Sequence, residues 1–273
     1  MSHHLNIGVI TRNEQDFYFG VLLESIHKTL CRENCNMFVI NTFMVSNFIM
    51  EPGKASVYYP LAANHIDGWI VLANGACIEY IEVLCKLGKP VVLISDRYEG
   101  NKCCMINEDN LFGAQTAVQH LIDHGHKRIL FLGWLGVFDM VQRYEGYKKV
   151  LKENGIDFDE NLVVLASTPS TSAASKAAMD AARSGISFTA LFATNDQLAI
   201  GAIEGLKRVG LRVPKDVAVI GYDNSIQAAN HYIGLTSMGQ NIEGKGIRAV
   251  ESVLKMIRGE NSAGEDICIN SEL

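Results

Sequence analysis

Polar side chains suited to hydrogen bonding with a small molecule follow two apolar runs in the second half of the chain. Asn195 comes shortly after the apolar run 190–193, and Asp223 comes shortly after the run 217–220. Amides and carboxylates at such positions bind hydroxyl and amine groups through directional hydrogen bonds. This part of the chain therefore predicts two hydrogen-bonding clusters beside one crevice.

Further candidates lie at the end of an apolar run or at the start of a helix. Together they offer aromatic walls, a cation, carboxylates and amides, which suits a sugar or a nucleobase. The candidates are Tyr18, Phe19, Asn74, Asp96, Asp109 and Arg143, which is predicted to begin a helix. Each is ambiguous alone, because an aspartate before a helix is often only a cap and an arginine can pair with a surface glutamate. The prediction depends on many such residues meeting at one edge.

Motifs for catalysis, phosphate binding and metal binding are missing from the sequence. It contains no GxxxxGK[ST], no GxGxxG after a strand and no GxSxG. His120 and His124 share a helix face but lack the glutamate of HExxH, so surface histidines are the favoured interpretation. Cys103 and Cys104 are interpreted as small residues at the end of a loop rather than a redox pair or part of a metal site. We therefore expect no enzymatic activity, no metal and no cofactor.

The elements that position these residues alternate along the whole chain. Nine short apolar runs have the length and composition of buried strands, and seven segments between them have helical patterns. Such alternation predicts parallel sheets covered on both faces, whose carboxyl ends share one ligand-binding edge. The predicted strands are 7–10, 37–40, 68–72, 91–94, 129–132, 163–165, 191–193, 217–220 and 267–269, and the predicted helices are 19–32, 78–87, 111–124, 143–154, 172–184, 196–209 and 242–257.

Length, charge and cysteine usage restrict the class of protein. The chain has 273 residues, which suits two lobes, and its net charge of −6 without any cluster of four basic residues argues against DNA binding by this chain alone. No apolar run is long enough to span a membrane, and the N-terminal stretch lacks a secretory signal. Seven cysteines without a paired spacing favour reduced thiols in a cytoplasmic protein.

The segment 42–63 breaks the alternation of strands and helices. It is rich in methionine and aromatic residues but has no clear period. An irregular helix packed against the sheet is the simpler interpretation of this composition. An exposed Met-rich patch that contacts a second subunit or another domain is the alternative, and the sequence leaves both open.

Phrases spread along almost the whole chain resemble one family. They are HIDGWIVL (65–72), KPVVLISDR (89–97), NEDNLFGAQTAVQHLIDHGHKRILFLG (107–133), RYEGYKKVLKENGI (143–156), ATNDQLAIGAIEGLKRVGLRVPKDVAVIGYDN (193–224) and LTSMGQN (235–241). With these phrases the chain resembles the effector-binding core of LacI/GalR-type transcription regulators, which shares its fold with periplasmic sugar-binding proteins. The resemblance implies an α/β fold of the type I periplasmic binding protein kind, with two doubly wound, parallel-sheet (Rossmann-like) subdomains. The expected boundaries are 1–124 plus 240–262 for the N-terminal subdomain and 125–239 plus 263–273 for the C-terminal subdomain.

The resemblance also implies roles for the candidate residues. Arg143, in the phrase RxxGY, resembles the arginine that clamps polar groups of the effector, and Asp223, in GYDN, resembles the aspartate that accepts protons from ligand hydroxyl or amine groups. The other matches are Asn195 in the NDQ phrase, Asp109 before its helix, Tyr18 and Phe19 after the first strand, and Gln240 at the hinge. The segment 233–237 departs from the family, which usually has a proline before LTT, and this affects the hinge geometry more than the fold.

The function implied by the resemblance is that of an effector sensor. A sugar-like or other small polar ligand would bind in the cleft between the subdomains and signal by closure, in a cytoplasmic homodimer without membrane contact. DNA would be bound only through the family's helix-turn-helix, which is missing here, so the chain is expected to be a fragment. The alternatives are a sensing module with cyclase or kinase output, a solute-binding transport protein, and an enzyme on the same scaffold.

Overall fold

Eleven β-strands and eight α-helices make up the part of the chain that the structure describes. The structure is a computed structural model and describes residues 4–12, 17–42, 63–260 and 263–273. The chain separates into two units, each with its own sheet. Unit 1 comprises Met1–Glu108 and Asn241–Ile269, and unit 2 comprises Asp109–Gln240 and Asn270–Leu273.

Unit 1 contains a six-stranded sheet in which all neighbouring strands are parallel. Its strands are β1 (Asn6–Thr11), β2 (Asn36–Asn41), β3 (Gly68–Leu72), β4 (Val91–Ile94), β5 (Cys103–Glu108) and β11 (Asp266–Ile269), and its helices are α1 (Phe17–Arg32), α2 (Ile78–Lys86) and α8 (Ile242–Ile257). The order across the sheet is β11-β5-β4-β3-β1-β2.

Side chains of this sheet alternate between two apolar cores, because successive residues of a strand point to opposite faces. Ile70 packs with residues of α1 and α8 on one face, whereas the fully buried Trp69 packs with residues of α2 on the other. Both faces are therefore covered by helices. This explains why the fully buried strands β3 and β4 are continuous apolar runs rather than alternating apolar and polar ones.

Unit 2 contains a five-stranded sheet that is also parallel throughout. Its strands are β6 (Ile129–Gly133), β7 (Val163–Leu165), β8 (Ala190–Ala193), β9 (Ala218–Asp223) and β10 (Thr236–Gly239), and its helices are α3 (Asn110–Asp123), α4 (Phe138–Glu153), α5 (Thr171–Arg183), α6 (Asp196–Arg208) and α7 (Ile226–Ala229). The strand order is β10-β9-β8-β6-β7. Phe131 packs with α3 and α4 on one face, and Leu130 packs with α5 and α6 on the other.

The prediction of two parallel α/β units is confirmed, but the sequence patterns miss β5 and β10. The prediction that Cys103 and Cys104 end a loop is wrong, because these residues begin the buried strand β5. The sequence pattern does not indicate a strand here, because the other end of β5 carries the polar residues Asn107 and Glu108. Helix α4 starts at Phe138, earlier than expected, so Arg143 lies in its second turn rather than at its start.

The boundaries between the units differ from the expected ones. Helix α3 belongs to unit 2, because Ala114 and Val118 pack in the same core as Phe131, whereas the expected boundary followed residue 124. Strand β11 belongs to unit 1, because it pairs with β5, whereas its residues were expected in the other subdomain. Pairing and packing of elements distant in sequence therefore decide where each unit ends.

Two sequence expectations concern the surface and the environment of the chain. The Met-rich segment 42–63 lies, except for its two end residues, outside the described residues, so both of its interpretations stay predictions. Within the described ranges, no helix combines the length and the apolar character needed to cross a membrane.

Candidate ligand-binding site

Arg143 is held at the carboxyl edge of the unit 2 sheet, where its parallel strands end. Its side chain is only 2% exposed. Nε donates a hydrogen bond to Asn110 Oδ1 at 2.8 Å, and Nη1 donates to the Thr194 carbonyl oxygen at 2.6 Å. The guanidinium carbon lies 3.7 Å from the centroid of the Tyr222 ring, which is a cation–π contact. These contacts orient the charged head group at this edge of the sheet.

Asp223 ends β9 beside this guanidinium group. Its Oδ1 lies 3.6 Å from Arg143 Nη1 and accepts a hydrogen bond from Gln240 Nε2 at 2.5 Å. The backbone of Asp223 has φ +118° and that of Asn224 has φ +50°, a region that is unfavourable for residues with a side chain. Such strain is typical of functional sites, where the surroundings hold it in place. The structure thus brings together three residues that the sequence analysis singles out.

Asp196 anchors the turn that follows β9. Its carboxylate accepts hydrogen bonds from the Ser225 amide at 2.7 Å and from Ser237 Oγ at 2.5 Å, and Ser237 Oγ accepts one from the Asn224 amide at 3.0 Å. Burial raises the pKa of Asp196 above its ordinary value of 3.8, whereas these hydrogen bonds and the charge of Arg143 oppose the rise. The side chain of Asp196, the first residue of α6, therefore fixes this turn.

Asn195 and Asp109 both act as helix N-caps in the structure. Asn195 Oδ1 accepts from the Leu198 amide at 2.8 Å at the start of α6, and Asp109 Oδ1 accepts from the Phe112 amide at 2.9 Å at the start of α3. A cap satisfies an amide that has no partner within the helix. Their use as ligand contacts therefore stays a prediction beside an observed structural role.

Asp139 is a further acidic residue at this edge that the sequence analysis does not identify. It lies one turn before Arg143 in α4 and is 8% exposed, and its Oδ1 has no hydrogen-bond partner among the described residues. A buried acceptor without a donor is unfavourable by about 1–3 kcal/mol. The spacing of four residues from Arg143 is the sequence signal that places both side chains on one helix face.

Unit 1 has a separate polar cluster at the carboxyl edge of its own sheet. Lys245 Nζ lies 2.6 Å from Glu108 Oε2, and neither side chain is exposed to solvent. Tyr18 Oη and Ser95 Oγ are hydrogen-bonded at 2.8 Å, and Lys245 Nζ lies 3.5 Å from the same Ser95 Oγ. No motif in the sequence indicates this ion pair. Its signal is a lysine within the apolar period of α8, between Ile242 and Ala249.

The other predicted residues of unit 1 occupy two different environments. Asp96 Oδ2 accepts a hydrogen bond from the Asn74 amide at 3.2 Å, so these two predicted residues meet at the ends of β3 and β4. Phe19 is 7% exposed and lies in the apolar core, where its ring meets that of Tyr18 edge to face at 5.4 Å between centroids. Phe19 therefore supports Tyr18 from inside the unit.

The histidines that were considered as metal ligands lie on the surface of unit 2. The rings of His120 and His124 are 4.4 Å apart between centroids, and His124 Nδ1 is hydrogen-bonded to the His120 carbonyl oxygen at 2.8 Å. In the part of the chain that the structure describes, no group of three or more histidine, cysteine, aspartate or glutamate side chains is placed to hold a metal ion.

Comparison with known proteins identifies the family. Residues 118–273 match the family described as the periplasmic binding protein-like domain. The HTH-type transcriptional repressor PurR of Pasteurella multocida (strain Pm70) is 30% identical over 271 residues, which cover 98% of this chain and 79% of the repressor. A LacI family regulator from Enterococcus faecium with bound ribose has a TM-score of 0.83 at 24% identity, covering 98% of this chain and 96% of that one. The lac repressor dimer bound to operator and the anti-inducer ONPF has a TM-score of 0.84 at 21% identity, covering 99% of this chain and 92% of that one.

The fold defined by these two parallel sheets is that of the type I periplasmic binding proteins. The chain belongs to the periplasmic binding protein-like domain family, and within it to the effector-binding cores of LacI-type transcriptional regulators. The resemblance that the phrases of the sequence indicate is thereby confirmed. Membership rests on the family match over more than half of the chain and on the identity to the repressor, whereas the structural likeness supports the fold.

Proposed function

We propose that this effector-binding core binds a small, polar, uncharged molecule such as a sugar, with Arg143 and Asp223 as its main ligand residues. The observation that carries this proposal is the cluster at the carboxyl edge of the unit 2 sheet, in which Arg143 is buried and Asp223 and Gln240 are partly buried. The Asp223 carboxylate lies there 3.6 Å from the Arg143 guanidinium group and accepts a hydrogen bond from the Gln240 side-chain amide at 2.5 Å. Adjacent donors and acceptors of this kind match the paired hydroxyl groups of a sugar.

The charges of the buried residues favour a neutral ligand over an anion. The positive charge of Arg143 lies 3.6 Å from Asp223, and that of Lys245 lies 2.6 Å from Glu108. An anionic ligand at either cluster would add an unbalanced charge next to a carboxylate that is fully buried in Glu108 and partly buried in Asp223, which is far less favourable than adding hydroxyl groups. A neutral nucleobase meets the same condition and is the second ligand class to test.

A second residue of helix α4, Asp139, supports the same proposal. Its buried Oδ1 has no hydrogen-bond partner among the described residues, and it lies on the same helix as Arg143. A hydroxyl group of a bound ligand would supply the missing donor and remove the penalty of an unsatisfied acceptor. The remaining predicted contacts are proposed on their position alone; they are Tyr18, Phe19, Asn74, Asp96, Asp109 and Asn195.

The proposed output is regulation of transcription in the bacterial cytoplasm, without catalysis. The names of the relatives support it, because they describe an HTH-type repressor and an operator-bound dimer. We propose that this chain likewise acts as a homodimer and contacts DNA only through a helix-turn-helix segment. A ligand that prefers a closed arrangement of the two units over an open one would shift their equilibrium by its difference in affinity.

Titration calorimetry tests the role of Arg143. Neutral sugars, including ribose and cellobiose, and free nucleobases are titrated into the wild-type chain, and the tightest binder is then titrated into Arg143→Ala. We expect the dissociation constant to rise on the order of 30-fold, because the loss of a buried, charged hydrogen bond costs about 2 kcal/mol.

The matched control is Arg212→Ala in the same unit. Arg212 is 67% exposed and pairs with Asp216 at 2.7 Å on the surface, so its removal should leave ligand affinity unchanged. Equal affinity of Arg143→Ala and wild type would remove Arg143 from the site. Tight binding of an anion together with weak binding of every neutral compound would contradict the proposed ligand class.

A further inference from the structure

Two cysteine thiols of unit 1 lie side by side, away from the candidate ligand site. The sulfur atoms of Cys85 and Cys103 are 3.4 Å apart. Cys85 lies in the last turn of α2 and is partly exposed, whereas Cys103 begins β5 and is fully buried. This is the amino-terminal edge of the sheet, opposite the edge that carries Ser95 and Glu108.

We propose that Cys85 and Cys103 form a reversible intramolecular disulfide when the protein meets hydrogen peroxide. A disulfide needs the two sulfurs at about 2.05 Å, so they must approach by roughly 1.4 Å, which is a small movement for side chains at a helix end. The adjacent Cys104 is excluded as the partner because it points to the opposite face of the sheet, into the core formed with α1 and α8.

The surroundings of the pair assign different roles to the two thiols. The hydrogen bond from Cys103 and the charge of Lys102 lower the pKa of Cys85, against burial and the charge of Glu82. The same hydrogen bond and burial raise the pKa of Cys103. Cys85 is therefore the thiolate that reacts first, because the thiolate is the nucleophile and this side chain is the accessible one. Cys103 keeps its proton and acts second.

The reaction with peroxide balances in two steps. The Cys85 thiolate attacks one peroxide oxygen, an S–O bond forms, the O–O bond breaks, and the departing hydroxide takes a proton to become water. Cys103 then attacks the sulfur of the Cys85 sulfenic acid, the S–S bond forms, and the hydroxyl group leaves as water with the proton of Cys103. The two sulfurs together lose two electrons, and one peroxide becomes two waters.

Peptide mapping of the full chain tests the disulfide directly. The reduced chain is treated with hydrogen peroxide, its free thiols are alkylated under denaturing conditions, and it is digested with trypsin without reduction. We expect one cross-linked pair of peptides, a loss of two of the seven thiols, and recovery of both with dithiothreitol. The unfolding midpoint should rise by about 5 °C or more in the oxidised chain, because the closed loop restricts the unfolded state.

Single substitutions assign the bond, because trypsin leaves Cys77 on the peptide of Cys85 and Cys104 on the peptide of Cys103. The cross-link should persist in Cys77→Ser and Cys104→Ser and disappear in Cys85→Ser and Cys103→Ser. In Cys103→Ser, a dimedone adduct on Cys85 should accumulate, since the second thiol is missing.

Two results would overturn the proposal. One is a chain in which Cys85 and Cys103 are still fully alkylated after the exposed Cys31 and Cys268 have been oxidised. The other is a cross-link that Cys104→Ser abolishes. Fragmentation of the wild-type cross-linked peptides gives the same assignment even if Cys103→Ser fails to fold. None of these readouts involves ligand binding, so the outcome is independent of the proposed function.

Discussion

At the scale of single residues, the neighbours of Arg143 determine the orientation of its guanidinium group. Hydrogen bonds to Asn110 and Thr194 and the ring of Tyr222 hold the guanidinium group through contacts within the protein. A ligand therefore need not supply the free energy of ordering this long side chain, which is about 1.5–2 kcal/mol when a free arginine is immobilised. Under the proposed function, this preorganisation is the reason why we expect Arg143 to dominate the affinity of the site.

The buried pair of Lys245 and Glu108 gives a prediction at the same scale. Glu108→Gln leaves the ammonium group of Lys245 buried opposite a neutral amide, so the free energy of unfolding should fall by about 3–5 kcal/mol. Urea denaturation measures it. The double variant Glu108→Leu/Lys245→Met should lose much less than the sum of the two single changes, because it leaves no unpaired charge.

A surface pair provides the control for this prediction. Glu24 and Lys28 lie 2.6 Å apart in α1 with both side chains more than half exposed. Glu24→Gln should hardly change the unfolding free energy, because solvent screens exposed pairs. If Glu108→Gln and Glu24→Gln behave alike, the buried pair has no special role in stability.

At the scale of elements, the turn after β9 shows how secondary structure positions the site. The start of α6 contributes Asp196, and β10 contributes Ser237, and together they bind the amides that follow Asp223. Gly221 is required on β9, because a Cβ at that position would collide with Asp196 Oδ1. Three elements therefore hold Asp223 and Asn224 in a backbone conformation that neither residue prefers.

The raised pKa of Asp196 gives a prediction about pH. Because the folded state binds the proton of Asp196 more tightly than the unfolded state, this group favours folding most at low pH. Its contribution is lost as the pH rises from about 3.8 through the raised folded pKa. Asp196→Asn can still accept from the Ser225 amide and donate to Ser237, and it does not titrate.

Urea denaturation of both chains over a series of pH values measures this effect. The unfolding free energy of Asp196→Asn, relative to that of the wild type, should increase as the pH rises from about 4 towards neutrality. A difference between the two chains that stays constant, or that decreases with rising pH, would show that the folded pKa of Asp196 is not raised.

At the scale of the whole molecule, a ligand that binds only the folded state stabilises the chain by an amount that rises with the logarithm of the ligand concentration above its dissociation constant. At a concentration of 100 times its dissociation constant, the added free energy is about 2.7 kcal/mol. The unfolding midpoint should therefore rise by about 5 °C in a thermal-shift assay with the correct sugar. Arg143→Ala, with a dissociation constant about 30-fold higher, should show only about a third of this rise at the same ligand concentration, and Arg212→Ala should show the full rise. An undiminished rise in Arg143→Ala would place the ligand elsewhere.

The site residues that the sequence predicts differ in how well the structure could be anticipated for each of them. Arg143, Asp223 and Gln240 come together as expected, because all three lie at the carboxyl edge of one sheet. Asp223 ends β9, Gln240 follows β10, and Arg143 lies in the second turn of α4. Asn195 and Asp109 are caps, a role that local sequence also predicts. The pair of Lys245 and Glu108 is not predictable in this way, because its members are far apart in the chain.

The sequence by itself determined the class of fold, since continuous apolar strands alternating with helices are stable only as parallel sheets covered on both faces. It also determined the family, because the phrases that resemble the family extend along almost the whole chain. Only the tertiary structure decided that β5 is a strand, that β11 joins unit 1, and that Asp196 anchors a turn. These features depend on strand pairing and on burial of charge between segments that are distant in the chain. A local sequence pattern therefore cannot predict them.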